Sequence, residues 1–138
     1  MSRALDDLCE GLRPQAFEVI ARLIEARVPI LIVDILRSPA EHAVNLANGT
    51  SKATHSKHVA ATNSACIICH GTGSHAFDLC PYDEFSRVGS DKLLWNVRDG
   101  ENKILREWQL IGFHGKRFGF RWGGDWKDPF DPGHLELP

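Results

Sequence analysis

The sequence predicts a single α+β domain, a small and mostly antiparallel sheet with helices packed on one side. Three observations point there. Helical periodicity near the N-terminus runs directly into a β-branched stretch. Three later apolar stretches have strand length and polar, turn-rich flanks. The 138 residues fill one domain with a real core and leave no room for a second. We therefore read residues 1–138 as one unit, with 59–73 as a loop insertion.

The elements follow in order. Residues 14–27 (PQAFEVIARLIEAR) predict a helix: Pro14 suits the first helical position, and Phe17, Ile20, Ala21 and Ile24 share one face. Pro29 breaks it, and Ile30-Leu31-Ile32-Val33-Asp34-Ile35-Leu36 reads as a buried strand. Ser38-Pro39-Ala40-Glu41 is a capping box that opens a second helix, ending near Asn48-Gly49. Residues 50–73 are polar, rich in small residues, and read as loop with a short hairpin. Residues 74–79 (SHAFDL) form a strand closed by Cys80-Pro81. A third helix is expected over about 102–112, with Ile104, Leu105, Trp108 and Ile111 on one face and Gly112 as its stop. Short strands are expected at 118–122 and 134–137.

Charge and hydropathy exclude some classes. With 16 Lys+Arg against 18 Asp+Glu, the net charge is −2, too little positive charge for general nucleic-acid binding. No stretch approaches the roughly 18 apolar residues of a membrane span, so no membrane insertion is expected. Residues 1–12 lack the apolar core of a secretory signal. Synthesis in a reducing compartment is therefore expected.

The chemistry gathers in seven His and four Cys. Asp131-Pro132-Gly133-His134 sets a carboxylate three residues before an imidazole. In zinc hydrolases an unligated carboxylate beside an open coordination position serves as base. Taken alone, the motif fits a solvated turn better. Asp78 sits mid-strand between Phe77 and Leu79; if buried it must be paired or bound to metal, and on an edge strand it would face water. Arg37 ends the first strand, where a guanidinium can hold a carboxylate in a forked pair. Trp122 and Trp126 flank Gly123-Gly124-Asp125 and suit either a peptide groove or the core, the core being expected for at least one of them. His42, His55 and His114 are expected at the surface or at helix ends.

Taken together, Arg37 after an apolar strand, Ser56-Lys57-His58, Ala76-Phe77-Asp78-Leu79, Trp122-Gly123-Gly124-Asp125-Trp126 and Asp131-x-x-His134 resemble the D-Ala-D-Ala carboxypeptidase/dipeptidase family of zinc peptidases. The likeness is greatest to its phage endolysin branch, which cleaves L-alanyl-D-glutamate bonds. It spans about residues 28–137. It implies Zn²⁺ held by His58, Asp78 and His134, Asp131 as catalytic base, and Arg37 as substrate clamp or oxyanion stabiliser. Ser56, Trp122 and Trp126 would line the substrate. The implied partners are peptidoglycan stem peptides, cut at L-Ala-D-Glu or, in the other branches, at D-Ala-D-Ala. An endolysin of this kind is expected to be a monomer, to accumulate in the host cytoplasm, and to reach the periplasmic wall when a holin releases it.

One departure from the family pattern matters. His58 and Asp78 stand 20 positions apart, against seven in the family motif. Keeping Ser-x-His favours His58 as first ligand, and inserted loops cost only about 0.6 kcal/mol per doubling of length. His70 and His75 are the alternatives, although on a strand His75 and Asp78 would face opposite sides. The insertion carries Cys66-Ile67-Ile68-Cys69-His70, a c-type haem attachment pattern. Haem needs export and an axial partner, and neither is evident. With Cys80 the same residues make a candidate structural zinc set, and so a non-enzymatic binding module. The default is small buried thiols or a disulfide.

Overall fold

A computed structural model of the chain describes residues 2–51, 55–82 and 93–138; Lys52 to Thr54, within the expected 50–73 loop, lie outside them. Its elements are α1 (Arg13–Glu25), β1 (Ile30–Asp34), α2 (Pro39–Ala47), β2 (Ala76–Pro81), α3 (Arg106–Arg117), β3 (Arg121–Trp122) and β4 (His134–Glu136). The strands form one sheet in the order β1-β2-β4-β3, antiparallel at every pairing. This is the expected small α+β fold.

The first helix forms where its period and Pro14 place it, but a different face is buried. Leu12, Ala16, Val19 and Leu23 enter the core, while Phe17 and Ile24 stay largely in solvent. Both faces carry apolar residues at helical spacing, and only the docking of α3 onto α1 selects between them. The capping box of α2 is complete: Glu41 N–H donates to Ser38 Oγ, and Ser38 N–H donates to the Glu41 carboxylate. Gly49, at φ 72°, follows the helix in the left-handed region that glycine tolerates.

The third helix starts and ends later than its periodicity predicts. Asp99 Oδ1 accepts from the N–H groups of Glu101 and Lys103, and Asn102 takes φ 64°. That local turn pairs Arg98 with Ile104 and holds 99–104 out of the helix. Gly112 is no stop. A Cβ there would lie 2.3 Å from the Trp122 ring, and one at Gly115 would lie 2.3 Å from Leu135 Cδ2. The two glycines let α3 settle onto β3 and β4, which outweighs their helix penalty of about 1 kcal/mol each. His42 and His114 are buried rather than superficial, and His55 is exposed.

Residues 55–75 contain no hairpin among those described; one 3₁₀ turn spans Ala60–Asn63. The loop closes around the buried Asn63, whose amide donates to the carbonyls of Lys57, Val59 and Gly73. The N-terminal segment then ties it down. Cys9 N–H donates to Ser74 O, and Ser74 N–H donates to Asp7 O.

Candidate metal centre and active site

Strand register creates the centre. Asp78 on β2 stands directly opposite His134 on β4, so the two side chains share one face of the sheet. His134 Nδ1 is 2.9 Å from Asp78 Oδ1. His58 arrives from the loop and completes a triangle, its Nε2 lying 3.2 Å from Asp78 Oδ1 and 3.3 Å from His134 Nδ1. The sequence-predicted ligands His58, Asp78 and His134 are thus brought together, whereas His70 and His75 are not part of this group.

Each imidazole is held by its other nitrogen. His58 Nδ1 lies 2.8 Å from Ile35 O, a carbonyl that can only accept, so Nε2 is the nitrogen aimed into the triangle. His134 Nε2 meets Glu136 Oε1 at 3.1 Å, which directs Nδ1 inward. Such outer partners set tautomer and ring orientation in metal sites. Tetrahedral coordination by nitrogen and oxygen at about 2.0–2.2 Å places neighbouring donors roughly 3.3–3.6 Å apart. Two edges of the triangle match this closely and the third is a few tenths shorter. Two imidazoles and one carboxylate are also a donor set that suits zinc.

The local fields bear out the crowding of charge. Burial works against ionised Asp78, but the facing His58 and His134 hold its carboxyl below the usual range. Burial likewise disfavours the His134 imidazolium, yet its hydrogen bonds with Asp78 and Glu136 raise it to about 10. Glu136 is lowered to about 2 because hydrogen bonds from His134 and Arg121 overcome its burial. Asp131 moves the other way: burial and the neighbouring Asp78 charge raise its pKa.

Asp131 lies beside the triangle, its Oδ2 4.0 Å from His134 Nδ1 and its side chain 48% exposed. The turn that carries it closes through His134 N–H donating to Asp131 O, while Asp131 N–H donates to Gly123 O. Gly123 has no substitute here, since a Cβ would lie 2.2 Å from Asp131 O. The Trp122 indole donates to Pro132 O at 2.7 Å. Trp122 is therefore buried and braces this turn, the core alternative of the two that the sequence left open for this pair of tryptophans. Trp126 does reach the site, its ring centroid 5.2 Å from that of His134. Ser56 is buried and its Oγ accepts from His58 N–H, so it orients the ligand-bearing loop and offers substrate no free hydroxyl surface.

Arg37 is close enough to Asp131 for its charge to be felt there. Its Nε and Nη2 both hold Asp34 Oδ2, at 3.1 and 2.5 Å, and its backbone N–H donates to His58 O. It also borders a pocket of about 620 Å³ whose lining includes Ser2, Ser38, Glu41 and Val59. Sequence reasoning missed Asp34, Ile35 and Glu136. The only signal available for Glu136 was its i+2 position, which places it on the same strand face as His134.

A profile of the family described as D-alanyl-D-alanine carboxypeptidase matches residues 63–137. The chain belongs to that family. Among solved structures it resembles the Serratia marcescens L-Ala D-Glu endopeptidase ChiX, with 22% identity and a TM-score of 0.59, over 99% of this chain and 87% of that chain. At this identity the likeness concerns the fold. None of the curated proteins matches the chain. The matched region holds Asp78, Asp131 and His134 but begins after His58, so the first ligand rests on the geometry given above. No described helix is long and apolar enough to cross a membrane.

Proposed function

We propose that this peptidase is a zinc enzyme that hydrolyses peptidoglycan stem peptides at the L-Ala-D-Glu bond, as a phage-type endolysin does. The observation that carries the reading is the convergence of His58 Nε2, Asp78 Oδ1 and His134 Nδ1 beside a carboxylate left half exposed. A zinc ion held by these three residues would polarise the scissile carbonyl and make water easier to deprotonate.

The chain's own groups do the rest. Asp131, whose pKa is raised by burial and by the Asp78 charge, in the direction that makes a carboxylate a stronger base, takes a proton from the attacking water. It delivers that proton to the amine as the C–N bond breaks, so the carboxylate is regenerated in each turnover. Arg37, locked by Asp34, faces the developing oxyanion or a substrate carboxylate with a fixed guanidinium. Trp126 gives the peptide a rigid apolar wall at low entropy cost.

The family description favours a second reading, release of terminal D-Ala from D-Ala-D-Ala ends. Digestion of purified stem peptides separates the two: L-Ala-D-Glu cleavage exposes a new D-Glu amino terminus, and the alternative frees D-Ala. If the zinc-loaded protein releases neither, the enzymatic reading fails. The endolysin role predicts that cytoplasmic expression lyses cells only when a holin is co-expressed.

A further inference from the structure

The second cluster of His and Cys lies apart from the centre just described. Cys9, Cys66, Cys69 and His75 place their donor atoms all within 4.8 Å of one another. Cys66 and Cys69 lie within the inserted loop and His75 just after it; Cys9 comes from the N-terminal segment, 57 positions upstream of Cys66. We propose that these four residues form a second, structural zinc site of Cys₃His type.

Distances favour a metal cage over a disulfide. Zinc–sulfur bonds of about 2.3 Å and zinc–nitrogen bonds of about 2.0–2.1 Å, at tetrahedral angles, put two sulfurs about 3.8 Å apart and sulfur about 3.6 Å from nitrogen. Cys9 Sγ and Cys66 Sγ are 3.7 Å apart, and Cys69 Sγ and His75 Nε2 are 3.6 Å apart. These are two opposite edges of one tetrahedron. A disulfide would need about 2.05 Å, and Cys9, Cys66 and Cys69 are free thiols.

Local electrostatics point the same way. The backbone N–H groups of Cys69 and Ile68 favour the thiolate of Cys66, and that of Gly11 favours the thiolate of Cys9. Three thiolates on a dication leave one net negative charge, and N–H groups aimed at sulfur offset it. His70 follows the Cys-x-x-Cys turn at φ 50° and Gly71 at φ 79°, so the chain reverses there. That turn leaves His70 exposed and outside the cluster. Cys80 is buried in β2, its thiol donating to the carbonyls of Pro81 and Leu94. The zinc set suggested by sequence, Cys66, Cys69, His70 and Cys80, is therefore replaced in two of its four members.

All four coordination positions are filled by protein, which leaves no open position and marks the site as structural. On binding, the three thiols release their protons to solvent. The ion then staples the N-terminal segment to the insertion and to the entry of β2. The staple bears on the catalytic loop, because Lys57 O, one residue before His58, accepts from His75 N–H and from the Asn63 amide.

The test is metal content in the reduced, zinc-grown protein. About two zinc ions per chain are expected in the wild type, and about one each in Cys66→Ser/Cys69→Ser and in His134→Ala. The cobalt-substituted wild type should show thiolate-to-cobalt charge-transfer absorption, retained in His134→Ala. Should the cysteine variant fail to fold, titration of the wild type with an organomercurial gives the same information, since thiol capture must release one zinc. Wild-type zinc that no mercurial displaces, or a Cys9–Cys66 disulfide by mass, overturns the proposal. Zinc unchanged in His134→Ala counts against the catalytic site instead.

Discussion

The two His-containing clusters use similar residue types and opposite construction. The centre of His58, Asp78 and His134 is built mainly on the sheet: two of its residues are a cross-strand pair, and the third hangs from backbone next to β1. Three donors converge on one side, and Asp131 stands beside them with half its side chain in water. The Cys9, Cys66, Cys69 and His75 cluster is built on loops and has four protein donors. An open position beside an unligated carboxylate permits chemistry, whereas a closed cage permits only tethering. The number of donors and the rigidity of what carries them distinguish the two roles, more than the count of metal-binding residues.

The sharpest way to break this contrast is Asp131→Asn. Loss of the base should lower kcat by about 10²- to 10⁴-fold while zinc content stays at the wild-type level. Zinc lost along with activity would show that Asp131 is a ligand and not a base. Next in size is Glu136→Gln, which weakens the hydrogen bond that aims His134. Affinity at the catalytic centre should fall about 10- to 100-fold, measured by competition with a chelator, and the cobalt–thiolate band should not change.

pH acts on the same residue. Metal-free His134 holds a proton up to about 10, so zinc must displace it. Affinity of the Cys66→Ser/Cys69→Ser protein for zinc should rise about tenfold per pH unit from neutrality toward that value. A flat profile contradicts the raised pKa of His134. The sign for stability follows from the raised value. The stabilisation of the metal-free fold is complete below pH 6.5 and is lost as pH climbs through about 10. Smallest in its effect on chemistry is Gly73→Ala. A Cβ there would lie 2.7 Å from Cys9 N and 2.8 Å from Cys9 Cα. The overpacking should cost about 1–3 kcal/mol of stability, read as a lower Tm, with kcat nearly kept.

Much of the fold was legible because its signals are local. The capping box at Ser38, the β-branched run before it and the turn residues around 123–133 act within a few positions of themselves. The third helix was misplaced for the same reason in reverse. Asp99 and Asn102 form a turn that a 3.6-residue period does not register, and Gly112 looks like a stop until the Trp122 ring is seen against it. In the site, Asp131, Asp78 and His134 were legible as motif residues, whereas the burial of Ser56 and Trp122 was not. Both are polar or aromatic residues in a motif, and only burial tells a brace from a contact surface.

The sequence by itself determined the fold class, the residue types of the candidate metal centre and a thiol-rich stretch between Ser56-x-His58 and Asp78. Periodicity, caps and motif spacing are short-range properties, and they are written in consecutive residues. Only the tertiary structure decided which histidine joins Asp78 and His134, and which cysteines and which imidazole meet in the second cluster. Cys9 lies beside Cys66 because the N-terminal segment pairs with Ser74, a contact between distant stretches that no local pattern encodes. His75 parts from Asp78 for a similarly spatial reason. An odd offset along extended chain turns the two side chains to opposite faces, one toward each cluster.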